Sequence, residues 1–89
     1  MKKIVLENGL ELEVNESALN NMELLDALAE MTEGNALALS NVVKLMLGNE
    51  NRKKLYDYIR KEDGTVPMEQ VDKCVTEIMN LLGEQGKNS

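Results

Sequence analysis

Met68, Val71, Val75, Ile78 and Leu82 follow one another at intervals of 3, 4, 3 and 4 residues. Only an α-helix brings such positions onto one side, so the end of this chain is expected to form an amphipathic helix lying on a core. Cys74, Met79 and Leu81 widen the apolar stripe to about 160° at 100° per residue, and every polar residue falls outside it. Val66 before the helix and Val71 inside it can form a hydrophobic staple, with Pro67 tolerated in the first turn. Residues 83–89 carry no apolar side chain, which predicts a flexible tail.

The other end has a different period. Short alternating apolar runs flank Asn8-Gly9, a strong hairpin signal. A two-residue turn would set Leu6 opposite Glu11 and Ile4 opposite Glu13. A three-residue loop Glu7-Asn8-Gly9, with Gly9 left-handed in a bulge, instead pairs Leu6 with Leu10 and Ile4 with Leu12. The second register gathers Ile4, Leu6, Leu10, Leu12 and Val14 on one face and is the one expected. A lone hairpin is marginal in water, so this face must rest on helices.

Between these ends, residues 16–32 contain neither Gly nor Pro, and Leu24, Leu28 and Met31 recur at helical spacing beside Leu25. Asn15 can cap this helix, and so can Asn20 with Glu23 three residues on as a capping box. Gly34 should end it and Asn35 cap the next. On a wheel, Ser40, Asn41 and Lys44 of residues 36–47 occupy an arc of about 100°. Ala38, Leu39, Val42, Val43, Leu45, Met46 and Leu47 fill about 200°. Gly48 then breaks the helix, and Asn49 can cap a third one running to about Glu62, with Leu55, Tyr56 and Ile59 inward. The expected architecture is α+β: one domain over residues 1–82, with a β-hairpin over 1–14 packed on about four helices over 16–82.

Composition removes several functions. Eighty-nine residues allow one small domain. The net charge is −6, only 2% of residues are aromatic, and residues 1–43 hold eight acids against two bases. Phosphate neutralisation needs a basic face, so nucleic acid is not an expected partner. The longest apolar run, Ala36 to Leu39, is far short of the ~20 residues of a membrane span, and the apolar part of Met1–Leu6 is too short for a signal peptide. A single cysteine forms no internal disulfide, and the chain reads as cytoplasmic. The absence of histidine removes Ser-His and Cys-His nucleophiles and histidine-ligated metals. Neither an enzyme nor a cofactor-binding protein is expected.

The remaining constellations have plain structural readings. Cys74 is a small hydrophobe at the edge of a stripe, with no cationic partner to make a thiolate. Glu62-Asp63-Gly64-Thr65-Val66 lies where a calcium loop could sit. With Gly64 as the sixth loop position, however, the first, third and twelfth are Ile59, Lys61 and Gln70, so a chain-reversing turn is expected. Carrier proteins attach phosphopantetheine to a serine that follows Asp, whereas Ser17 follows Glu16 and Ser40 follows Leu39. Arg52-Lys53-Lys54 with Arg60-Lys61 is matched by acids at i,i+4 and reads as a solvated, balanced face.

Met46 and Met79 sit on the two most apolar helices. They can be core filler, or they can form a deformable groove for an apolar partner helix. Because both stripes are wide for helices this short, Val42, Leu45, Met46, Val75, Met79 and Leu82 are the candidate partner-binding residues. A small acidic adaptor that neutralises a basic partner protein is the rival reading, and salt separates the two.

The order of elements resembles the tail assembly chaperones of long-tailed bacteriophages and prophages. The similarity rests on the hairpin around Asn8-Gly9, then Asn20-Asn21-Met22-Glu23-Leu24-Leu25, then Asn35-Ala36-Leu37-Ala38-Leu39 leading to Leu45-Met46-Leu47-Gly48. Tyr58-Ile59-Arg60-Lys61-Glu62-Asp63-Gly64-Thr65-Val66-Pro67 and the terminal helix complete it. Where such proteins often carry an aromatic after the paired polar residues, this chain has Met22. The resemblance implies a non-enzymatic protein that keeps the long, helical tape-measure protein soluble and helps recruit tail-tube subunits in the host cytoplasm. It also implies self-association and a longer product made by ribosomal frameshifting. Gly86-Lys87-Asn88 is compatible with a slippery run of adenines.

Overall fold

The computed structural model describes residues 2–87. Strands β1 (Lys2–Val5) and β2 (Glu11–Val14) are followed by a 3₁₀ segment (Glu16–Asn20) and by helices α1 (Met22–Thr32), α2 (Ala38–Ile59) and α3 (Met68–Lys87). The molecule is an α+β fold in which a two-stranded antiparallel hairpin precedes three helices.

The hairpin adopts the expected register. Ile4 faces Leu12 and Val5 faces Glu11, and the loop closes through Leu6 N–H to Leu10 C=O at 2.9 Å and Gly9 N–H to Leu6 C=O at 2.8 Å. Gly9 takes φ 92°, the left-handed position that a side chain would strain. Ile4, Leu6, Leu10, Leu12 and Val14 are all buried, so one pleat face becomes core. Asn8 Oδ1 accepts from the Leu10 N–H at 3.0 Å. The same turn occurs again at Lys61–Thr65, with Lys61 N–H to Thr65 C=O at 2.8 Å, Gly64 N–H to Lys61 C=O at 2.9 Å, Gly64 at φ 91° and Asp63 Oδ1 accepting from Thr65 N–H at 2.9 Å. Glu-Asn-Gly and Glu-Asp-Gly thus encode one geometry twice, because Asn and Asp both hold an Asx turn ahead of a left-handed glycine.

Helix α1 begins one residue later than the expected Asn20 capping box. Asn15 caps the 3₁₀ segment through Ser17 N–H at 3.2 Å, and Asn21 caps α1 through Glu23 N–H at 2.9 Å. The chain spends Asn20 on the end of the 3₁₀ segment, leaving Asn21 in extended backbone where a cap must be. The far end closes with Gly34 at φ 100°, Gly34 N–H to Met31 C=O at 3.0 Å and Asn35 N–H to Glu30 C=O at 3.0 Å, which is a Schellman motif. Asn35 then caps the next turn through Leu37 N–H at 3.1 Å.

Residues 38–59 form one element with a break inside it, at Gly48 (φ 72°, ψ −177°). The break frees the Met46 carbonyl, which accepts the Asn15 N–H at 2.9 Å and so ties the first half of α2 to the end of β2. Asn49 does not cap the second half; its Oδ1 accepts from Arg52 at 3.2 Å. That half stops at Ile59, short of Glu62, because Arg60 is extended and the Lys61–Thr65 turn consumes the following residues. Gly48 occupies backbone space that is almost closed to L side chains. Gly48→Ala is therefore expected to cost about 1–3 kcal/mol, although no heavy atom lies within 4 Å of the added Cβ. A urea titration checks this. A midpoint that stays put or rises is what a straight helix would give, since Ala is the better helix former.

Helix α3 does not stop at Leu82 but continues to Lys87. Gly83 is not among the left-handed glycines, and a glycine with helical φ weakens a helix without ending it. Residues 88–89 of the expected tail lie outside the described residues. Ile4, Leu12, Leu24, Val42, Met46, Leu55 and Ile78, from both strands and all three helices, meet in one core. Side-chain and backbone hydrogen bonds pin the hairpin over it: Tyr58 Oη donates to Asn8 C=O at 2.7 Å, Glu7 N–H donates to Glu77 Oε2 at 2.6 Å and Glu13 N–H donates to Asn51 Oδ1 at 3.0 Å.

Candidate functional site

The residues nominated for partner binding are brought together, but inside the molecule. Val42, Met46, Val75 and Leu82 are buried in the shared core, and Leu45 and Met79 are half-buried against it. Only the half-buried Leu45 and Met79 reach solvent, Leu45 in the lining of a cleft between α1 and α2, so the six do not make up the open surface expected of them. The cause is geometric. The 200° arc of residues 38–47 is covered from several sides, because β2, the 3₁₀ segment, α1 and α3 all lie against α2. Width of stripe reported the number of neighbours, not a surplus.

Apolar surface is left open elsewhere. Leu37 is 83% exposed and Met68 is 67% exposed. They stand beside a groove of ≈ 350 Å³ whose lining also includes Leu39, Ser40, Tyr56, Arg60, Val66 and Val71. A neighbouring depression of ≈ 280 Å³ shares Ala36, Leu39 and Met68 with it and reaches Met31, Gly34, Asn35, Glu69 and Asp72. The two depressions adjoin at these shared residues, near the end of α1, both ends of α2 and the start of α3; we call the pair the channel. Arg60 lines one end and Glu69 and Asp72 line the other.

Local sequence explains why these side chains stay out. Asn35 caps the turn at residues 36–37, which sets Leu37 one turn ahead of the polar arc of Ser40, Asn41 and Lys44. A leucine in a polar arc signals an apolar residue on the surface, and this sign was present in the sequence. Met68 opens α3, one step before the stripe meets the core at Val71. Thioether and leucine side chains at such a rim re-pack at little cost around varied apolar partners.

The other constellations are structural. Lys53 lies 3.6 Å from Asp57 and Arg60 lies 3.1 Å from it. The Arg60 hydrogen bond, helped by both positive charges, holds the Asp57 carboxyl below its ordinary range. Glu50–Lys54 and Asp57–Lys61 are not among the ion pairs of the described residues. Hydrogen bonds from Thr65 lower Asp63 in the same way, so its carboxylate serves the turn. Among the described residues, no group of three or more acids, histidines or cysteines is placed to hold a metal ion. Nor, among the described residues, is any helix long and apolar enough to cross a membrane.

Cys74 is buried, and burial first, the Glu77 charge second, push its thiol above the ordinary value. A raised native pKa means that the native state holds the proton more tightly than the unfolded chain does. The resulting stability is complete below the unfolded thiol value and is lost as pH rises from there through the native value. The stability advantage of the natural protein over Cys74→Ala is thus expected to narrow as pH rises above about 8.5, as read by urea midpoints at each pH. A gap constant with pH would contradict a buried neutral thiol.

Comparison with protein-family models, curated proteins and solved structures finds no match.

Proposed function

We propose that this protein is a non-enzymatic assembly chaperone, of the kind that phage tail assembly chaperones represent, and that it shields apolar helical segments of a long client protein. The observation that carries the reading is the pair Leu37 and Met68, open to solvent beside two adjoining, mainly apolar depressions. A rim of flexible apolar side chains around a half-buried floor suits an amphipathic helix, which presents anchors at i, i+3, i+4 and i+7. The floor is Leu39, Tyr56 and Val66, each half-buried. The acidic character of the chain, −6 overall, would keep a coated client from self-associating by charge repulsion.

Two anchors of this size contribute about 1.5–3 kcal/mol each when fully buried, less the cost of association. Contact by one subunit is therefore weak, and durable coating of a client depends on many subunits acting along it. By its resemblance, the client is the tape-measure protein and the later partner the tail-tube protein, in the bacterial cytoplasm. Self-association and a frameshifted longer product belong to the same reading.

Co-expression with helical fragments of a phage tape-measure protein, followed by affinity capture and calorimetry, tests the proposal. Capture is expected to survive high salt, and binding to show a negative heat-capacity change from apolar burial. Loss of capture at moderate salt, or no capture at all, would overturn it and favour the acidic-adaptor reading in the first case.

A further inference from the structure

Helix α1 has two apolar faces, and the core uses only one. At about 100° per residue, Leu24, Ala27, Leu28 and Met31 fall on one arc and are buried or half-buried. Met22, Leu25 and Ala29 fall on the opposite arc and are exposed, Met22 at 66% and Leu25 at 57%. Thr32 follows on that side, exposed, with its hydroxyl donated to Ala29 C=O at 2.7 Å. Between the two arcs stand Glu23, Asp26, Glu30 and Glu33, all exposed.

The charge that α1 itself carries beside this strip has one sign, and Lys44 of α2 is the cation facing it across the cleft. Residues 4–43 contain eight acids and no lysine or arginine. Glu23, Asp26 and Glu30 line a cleft of ≈ 370 Å³ against Asn41 and Lys44 of α2. None of these three carboxylates takes part in an ion pair among the described residues. An exposed apolar strip bordered along one edge by unneutralised acids is complementary to one kind of partner: a helix with its own apolar face flanked by lysines or arginines.

We infer that the outer face of α1 is a second docking surface, separate from the Leu37–Met68 channel, and that it takes a cationic amphipathic helix. Met22, Leu25 and Ala29 receive the partner's apolar side chains. Asp26 and Glu30 receive its basic flank, with the cleft behind them giving a long lysine or arginine room to enter. Acids at the edge exclude helices with an acidic flank, so the surface selects by charge as well as by greasiness.

The test uses the whole protein and a fluorescently labelled leucine–lysine helical peptide of about four turns, read by anisotropy at two salt concentrations. The peptide is expected to bind, to weaken as salt rises, and to lose affinity at least ~10-fold with Met22→Ser plus Leu25→Ser and again with Asp26→Lys plus Glu30→Lys. Glu13→Lys plus Glu62→Lys changes net charge equally and should shift affinity less than ~3-fold. A leucine–glutamate peptide should not bind. All substituted positions are exposed, and circular dichroism confirms that each variant folds. Equal losses from both charge-reversal pairs would overturn the inference, because attraction would then be a property of net charge alone. Loss of the peptide from Leu37→Asp plus Met68→Asp protein, with the α1 variants unaffected, would also overturn it and would locate the peptide in the channel while leaving the proposed function intact.

Discussion

Met46→Asp is expected to leave no folded protein. Met46 has no solvent exposure, and no polar or charged side chain is buried among the described residues, so nothing in the core could pair with the new carboxylate. An unpaired buried charge costs several kcal/mol or is neutralised at similar cost. A domain this small has a stability of about 5–15 kcal/mol at best, and its core is limited by its length. Circular dichroism and a urea titration should show no cooperative transition. Met46→Leu, which nearly conserves volume, should stay within about 1.5 kcal/mol of the natural protein. If Met46→Asp unfolds with the natural midpoint, the inward face of α2 is not the core.

Leu37→Asp combined with Met68→Asp should do the opposite, removing client binding while leaving the fold in place. Both side chains are mainly in solvent, where substitutions usually change stability by about 0.5 kcal/mol or less. Losing two anchors of about 1.5–3 kcal/mol each, at 1.4 kcal/mol per factor of ten, weakens capture of helical client fragments by roughly 10²-fold or more. Val5→Asp is the control, since Val5 is also exposed but lies on β1, outside both depressions of the channel. Equal losses from the control and the double variant would mean that binding follows general surface hydrophobicity rather than this channel.

The contrast between these two predictions also marks what the amino-acid sequence could disclose. Pairing of Leu6 with Leu10 was readable, because a shift of one residue would have placed carboxylates opposite leucines and turned the apolar face to water. The polar arc of Ser40, Asn41 and Lys44 was readable for the same reason, and all three are exposed. Boundaries were harder. Asn20 and Asn21 have the same capping chemistry, and only the 3₁₀ segment before them decides between the two. The stop at Ile59 follows from a turn whose signal, Asp63-Gly64, lies downstream. Helix α3 outruns Leu82 because Gly83 keeps helical φ, which no local residue type dictates.

The burial of the nominated residues was not legible, for a different reason. A stripe's width is a property of one helix, whereas burial depends on how many neighbours reach it. Val42 and Met46 touch a core built from the hairpin, α1, α2 and α3 together, and no periodicity within α2 counts those elements. Leu37 was the legible exception: a leucine one turn from Ser40 and Asn41 cannot point into the same core as Val42 and Met46.

Methyl nuclear magnetic resonance of the isotopically labelled protein, titrated with a helical fragment of the client, tests the central claim most directly. Shifts confined to Leu37, Leu39, Val66 and Met68, with Val42, Met46 and Val75 unmoved, are what a docking channel beside a sealed core requires. Shifts centred on Val42, Met46 and Val75, with Leu37 and Met68 silent, would contradict it.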